Sequence, residues 1–363
     1  MRTGSLNRYL GDLIGWSGPI SIARYMAEAL GHSEYGYYMR QDPLGADGDF
    51  ITAPEISQLF GEMIGLWWVQ AWQDMGAPSG VAVVELGPGR GTLMADALRA
   101  AAVVPAFADS VSIHLVETSP VLKQKQAESL VGREVTWRET ASTLPHRPML
   151  LVANEFFDAL PIRQFQRMRD GWHERLVDAA PNGTGFRLVL GPASDGSSVP
   201  AALRDAPLES VAEVCAPGLA VMAEIAGRLA ASGGAALIID YGQTAPRVGE
   251  TLQAVRRHKT SDVFRDPGNA DLCAYVDFFA LAQAAREQHA IPHGPVTQGQ
   301  FLTRLGVQVR AQRLQESATA AEGQDLRAEL ERLTDPAQMG FLFKVLAVTG
   351  PGSRVPAGFE EAT

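Results

Sequence analysis

Between Glu85 and Gly91 the chain reads Glu-Leu-Gly-Pro-Gly-Arg-Gly, an acid followed by three alternating glycines, directly after the apolar run Val81, Val83, Val84 and Leu86. Glycines at Gly87, Gly89 and Gly91 let the backbone turn through positive φ and come within contact distance of a ligand. The helix expected over Thr92 to Ala102 would offer its unpaired N–H groups to the same ligand. Such a loop cradles a nucleotide-type cofactor. Further on, Val111-Ser-Ile-His-Leu-Val ends in Glu117, close to the roughly 20-residue spacing from the glycine loop that a βαβ unit requires. The two acceptor oxygens of Glu117 suit a vicinal ribose diol and would repel a 2′-phosphate.

The glycine spacing narrows the class. A nicotinamide fingerprint sets its third glycine three residues after the second, whereas here it follows after two. Acid-x-Gly-x-Gly-x-Gly at a first strand resembles the cofactor loop of class I S-adenosylmethionine (SAM) methyltransferases, in which the acid, here Glu85, serves the methionine end of the cofactor through water or its ammonium group. Another dinucleotide-type fold or a purely structural turn would also accommodate the motif.

These residues need a sheet to position them. Val81 to Leu86 has the β-branched content of an interior parallel strand, and Val111 to Val116 supplies the second. Thr118-Ser-Pro120 offers a capping hydroxyl and a first-turn proline for a helix over Val121 to Leu130. Glu134 to Arg138 fits a third strand, and Met149 to Ala153 a fourth, ending in Asn154 and Glu155 with Asp158 just beyond. Ala235 to Asp240 is a fifth, and Phe341 to Val348 the last. Ligands of open parallel sheets bind beyond the carboxyl ends of the strands, which singles out Asn154, Glu155, Asp158 and Asp240. Each acid also has a structural reading as a cap or ion-pair partner, Asp158 most of all, because it could start a helix.

Around this core, helices are expected over Ile20 to Leu30 and Ile56 to Trp72. The Gly-, Tyr- and Asp-rich segment between them, Gly31 to Pro54, reads as a lid or substrate loop, or as a loop packed on the core through Tyr35, Tyr37 and Tyr38. Residues 243–271, with Arg256-Arg-His-Lys259, read as a mobile charged loop over the active face. The expected divisions are 1–78 as an N-terminal helical and lid region and 79–242 as the SAM-binding Rossmann-like core, with a β-hairpin insertion near 162–190. They continue with 243–335 as an accessory loop and helical region, 336–349 as the final core strand and 350–363 as a frayed tail.

The 363 residues suffice for one large core with insertions or for two domains. Thirty-one basic residues against 41 acidic ones, formally −10, leave no basic footprint for nucleic acid. Two cysteines, Cys215 and Cys273, and seven scattered histidines suggest neither a metal set nor a disulfide framework. No apolar run approaches the roughly 18 residues of a membrane span, and no signal-peptide core opens the chain, so a cytoplasmic protein is expected, or a mitochondrial-matrix one if eukaryotic. Trp67, Trp68 and Trp72 fit either a core or a homodimer interface.

Four blocks together resemble one family: Gly48-Asp-Phe-Ile-Thr-Ala-Pro-Glu-Ile-Ser-Gln-Leu-Phe-Gly-Glu62, Glu85 to Thr92, Asn154-Glu-Phe-Phe-Asp-Ala-Leu-Pro161, and Asp335-Pro-Ala-Gln-Met-Gly-Phe-Leu-Phe-Lys344. The chain is similar to the MidA family, from about Ile20 to Val348. The resemblance implies an α/β class I SAM-dependent methyltransferase, with a mostly parallel sheet, a final antiparallel strand and an accessory, mainly helical region. It also implies methylation of a protein arginine. Mitochondrial members are complex I assembly factors that dimethylate an arginine of a core NADH dehydrogenase subunit. An arginine nucleophile stays protonated, so carboxylates must hold its fork while one nitrogen is aligned with the methyl group. Glu155 and Asp158 are the first candidates, with Glu55 and Asp240 behind them and Asn154 beside the reacting nitrogen. Two other readings are a SAM-binding assembly chaperone without essential catalysis, and a nicotinamide oxidoreductase. The latter lacks a Tyr-x-x-x-Lys pair near the fourth strand.

Overall fold

The structure is a computed structural model describing residues 5–40, 52–181, 185–256, 259–316 and 318–360. By internal contacts the chain forms two units. One comprises Ile51–Phe157, Val221–Thr244 and Phe278–Thr363, and the other Met1–Phe50, Asp158–Ala220 and Ala245–Asp277.

The first unit is built on strands β1 (Val81–Leu86), β2 (Val111–Val116), β3 (Val135–Arg138), β4 (Met149–Asn154), β5 (Gly234–Gln243), β6 (Ile291–Thr297) and β7 (Phe343–Thr349), in the order β3-β2-β1-β4-β5-β7-β6. Strands β1 to β5 are parallel. Strand β7 runs antiparallel to both of its neighbours. Every residue of β1, β4 and β7 is buried, which is why these strands are near-continuous apolar runs without alternation. Helix Gln58–Asp74 lies against helix Thr92–Ala101. It sends Leu59, Phe60, Met63, Ile64, Trp67, Trp68 and Trp72 into one cluster with Val81, Val83 and Leu93. All three tryptophans are therefore core residues.

Two expectations are corrected in this unit. Ile291–Thr297, expected within an accessory loop and helical region, is a strand at the edge of the sheet. A shift in register between His293 and Val296, together with Pro292, Gly294 and Pro295, hides it, since an edge strand tolerates the residues that otherwise mark a turn. The tail is also anchored: Trp67 Nε1 donates to the Ala357 carbonyl (3.1 Å), Arg304 to that of Gly358 (3.1 Å), and Phe359 is buried.

The other unit holds an antiparallel sheet in the order Ile20–Ser21, Gly171–Ala179, Arg163–Met168, Val211–Val214, with Phe186–Ser194 also paired to Gly171–Ala179. The expected hairpin is therefore the centre of a larger sheet. Helices Ser5–Ser17 and Ile22–Gly31 bury Leu6, Leu10, Ile14, Tyr25 and Met26 with Ile162, Val177 and Leu272. For that reason residues 5–40 group with this sheet, and not with 52–78 as one N-terminal region. The 243–271 stretch, expected to be a mobile loop, contains strands Gln253–Arg256 and Lys259–Ser261, and Asp271–Cys273 completes their three-stranded sheet. Strands of three or four residues, here Gln253–Arg256 in the centre and the Lys-bearing Lys259–Ser261 at the edge, are too short and polar to stand out from a loop in sequence. Residues 257 and 258, and residues 41–51 of the expected lid, lie outside the described residues. Tyr37 is buried in this core, and Tyr38 donates to Asp271 Oδ1 at 2.9 Å.

Candidate active site

The carboxyl ends of β1, β2 and β4 carry the groups selected by type and spacing. In the glycine loop Gly87, Gly89 and Gly91 have φ of 60°, 52° and 82°, in the region where a Cβ is strained. Neighbours add a second constraint. A Cβ on Gly87 would stand 2.9 Å from Phe156 Cδ2, and one on Gly91 would stand 3.3 Å from Gln126 Cα.

Glu85 is 3% exposed, and its Oε2 has no hydrogen-bonding partner among the described residues. Burial pushes its carboxyl up to about 8, offset in part by the Met94 backbone N–H. A buried acceptor left open at the foot of a glycine loop fits a ligand that brings its own donor. Glu117 is more fully engaged. Its Oε1 accepts from the N–H groups of Thr118 (2.8 Å) and Ser119 (2.7 Å), and its Oε2 from Gln126 Nε2 (3.1 Å). Burial raises its pKa, against those three hydrogen bonds and the Lys123 charge. The backbone pair fixes the carboxylate at the carboxyl end of β2, where ligands of open parallel sheets bind.

At the end of β4, Asn154 Nδ2 donates to Glu155 Oε1 at 3.2 Å, which sets the orientation of the amide, because the reverse would oppose two acceptors. Asn154 Oδ1 is buried and has no partner among the described residues. Glu155 has φ of 50°, uncommon outside glycine. Its N–H donates to Ile239 O (2.9 Å), and its Oε1 also accepts from Ala53 N (3.1 Å). Ala53 begins the short helix Ala53–Ile56, which carries Glu55. Glu55 Oε1 accepts from the Thr92 hydroxyl (2.6 Å), and its Oε2 lies 3.4 Å from Arg90 Nη1. One short helix thus bridges the end of β4 and the start of the helix after the glycine loop.

Known proteins fix the family to which this arrangement belongs. A family model described as "Putative S-adenosyl-L-methionine-dependent methyltransferase" matches residues 63–296. The chain belongs to this family. "Protein arginine methyltransferase NDUFAF7, mitochondrial" of Danio rerio is 39% identical over 95% of this chain and 86% of that protein. The Homo sapiens protein of the same name is 35% identical over 97% and 84%. A Burkholderia thailandensis crystal structure with bound S-adenosylhomocysteine superposes with a TM-score of 0.82 at 29% identity, covering 98% of this chain and 93% of that one. The fold is that of a class I methyltransferase, and SAM is the cofactor of the family.

The remaining candidates have other surroundings. Asp240 is fully buried, and its oxygens accept from the backbone N–H groups of Phe157 (3.0 Å) and Tyr241 (3.0 Å). It braces the turn that follows Glu155. Asp158 belongs to the other unit, where its carbonyl accepts from Ala274 N (2.9 Å) and its charge raises the Tyr38 pKa after burial and Asp271. The structure thus groups Asn154, Glu155, Glu55, Glu85 and Glu117 within one unit, and leaves Asp158 out of it. Sequence reasoning missed Gln126, which meets the loop through space and has no motif of its own, and gave no role to Phe156, although it lies in the Asn154–Pro161 block.

Proposed function

We propose that this protein is an arginine methyltransferase acting on a protein substrate, with a core subunit of the respiratory NADH dehydrogenase as the intended target. The observation that carries the reading is the end of β4, where a buried amide oxygen with no partner in the described structure, Asn154 Oδ1, stands beside the Glu155 carboxylate. An acceptor next to a carboxylate suits the several N–H donors of a guanidinium. The names of relatives 35% and 39% identical over most of the chain support the same substrate chemistry.

When bound, SAM would supply an electrophilic methyl group to a guanidinium nitrogen and leave as S-adenosylhomocysteine, the proton lost from that nitrogen passing to solvent. Glu85 and the glycine loop would hold the methionine end, and Glu117 the ribose hydroxyls. Asn154 Oδ1 accepts from the reacting nitrogen and turns it toward the methyl group, while Glu155 holds the rest of the fork, so that alignment at about 3 to 3.5 Å supplies most of the rate. Glu55 acts through Thr92 and Arg90 by fixing the loop, and Asp240 by fixing the Glu155 turn.

The test is transfer of labelled methyl from SAM into extract of cells lacking the gene, followed by mass-spectrometric mapping, with Gly89→Val protein as the blank. A methylated arginine on a NADH dehydrogenase subunit is the expected result. Label on another residue type would overturn the arginine assignment, and SAM binding without any incorporation would point to an assembly chaperone.

A further inference from the structure

Helix Pro120–Ser129 follows the Glu117 turn and carries Gln126, which is fully buried. An uncharged amide with two donors and one acceptor oxygen is costly to bury unless all of them are met. Here Nε2 donates both to the Gly89 carbonyl (2.8 Å) and to Glu117 Oε2 (3.1 Å), while Oε1 accepts from Trp137 Nε1 (2.8 Å). The Trp137 indole therefore fixes which way the amide faces. One turn further along the helix, Ser129 Oγ donates to the Arg90 carbonyl at 2.8 Å. Two successive carbonyls of the glycine loop are thus held from one helix face, as positions three apart allow.

We propose that Gln126 is a positioning residue for the cofactor: seated by Trp137, it locks the glycine loop to the Glu117 carboxylate and so sets discrimination for an intact ribose diol. A carboxylate offers about four acceptor sites. Thr118, Ser119 and Gln126 engage three of them. Thr118 and Ser119 hold Oε1 and Gln126 holds Oε2, so the plane of the carboxylate that would face the ribose hydroxyls is fixed from both sides; without Gln126 the Oε2 side loses its donor and the loop loses a tether. Gly91 is packed on the same residue, since a Cβ there would press on Gln126 Cα at 3.3 Å.

The inference rests on Glu117 binding the ribose, so the experiment tests both separately. Binding of S-adenosylhomocysteine and of its 2′-deoxy analogue is measured by calorimetry for the wild type, Gln126→Met and Trp137→Phe. If the wild type does not distinguish the two ligands, the reading of Glu117 fails. If it does, Gln126→Met, which keeps length and loses the hydrogen bonds, is expected to bind S-adenosylhomocysteine about tenfold more weakly and to bring the ratio of the two affinities toward one. Trp137→Phe removes only the N–H that seats the amide, and should move the ratio in the same direction by less. A merely structural role would lower the melting temperature and leave the ratio untouched. An unchanged ratio in either folded variant overturns the proposal.

Discussion

At Glu155 a left-handed backbone coincides with a carboxylate oxygen shared between Asn154 and the start of helix Ala53–Ile56. Non-glycine residues held at positive φ cost on the order of 1 kcal/mol or more, and persist where surrounding contacts over-determine them. The substitution Glu155→Gln keeps an acceptor oxygen for Ala53 N–H, removes the charge and turns the second oxygen into a donor that cannot hold a guanidinium. Cofactor affinity is then expected within about twofold of wild type, while turnover falls by about two orders of magnitude. Calorimetry with S-adenosylhomocysteine alongside a methyl-transfer assay checks this, and full turnover would remove Glu155 from the proposed fork. At this scale, legibility followed local chemistry. Glu85, the glycines and Glu117 were readable because acid, loop and strand end lie in one stretch, as were Asn154 and Glu155. Gln126 was not, because a glutamine on a polar helix becomes informative only once folding brings Gly89, Glu117 and Trp137 around it.

Helices Gln58–Asp74 and Thr92–Ala101 approach so closely that a Cβ on Gly65 would lie 2.1 Å from Ala97 O, and one on Gly61 would lie 2.6 Å from Asp96 Cβ. Charge fastens the same pair. The fully buried Glu62 accepts from Arg99 (2.7 Å) and from Arg310 (2.7 Å), which belongs to helix Val307–Gln315. Because Thr92–Ala101 begins at the glycine loop, pushing it outward disturbs the cofactor cradle from behind. Gly65→Ala should therefore cost about 1–3 kcal/mol of stability, as overpacking does, and weaken S-adenosylhomocysteine binding as well. Thermal melts with and without ligand test this. A lower melting temperature with unchanged affinity would show that the cradle is insulated from its supporting helix. The strands buried on both faces were legible as apolar runs, whereas β6 and the Gln253–Arg256 sheet were not. Edge position permits Pro and Gly in β6, the strands of the smaller sheet are only three or four residues long, and strand identity in both comes from pairing that local pattern does not show.

Over the whole molecule, two buried glutamates pull stability in opposite directions with pH. Burial alone would raise the Glu62 pKa, but hydrogen bonds and charge from Arg310 and Arg99 outweigh it and hold the carboxyl below its ordinary value of 4.5. Its contribution is present above that value and is lost as pH falls through the depressed one. Glu85 behaves in the reverse sense. With a folded value near 8 against an ordinary 4.5, its contribution is complete below 4.5 and is lost as pH rises through about 8. In cofactor-free protein the gap between wild type and Glu85→Gln should then move by roughly 2–3 kcal/mol against the wild type between about pH 6 and 8.5, since each pKa unit is worth about 1.4 kcal/mol. Denaturant melts at the two pH values measure it. Saturation with S-adenosylhomocysteine, whose ammonium group Glu85 is proposed to serve, should abolish most of that drift, because a cation beside the carboxylate favours its charged form. A drift that persists unchanged with ligand bound would place the ammonium group elsewhere, and a gap independent of pH would mean that Glu85 is already ionised in the folded protein.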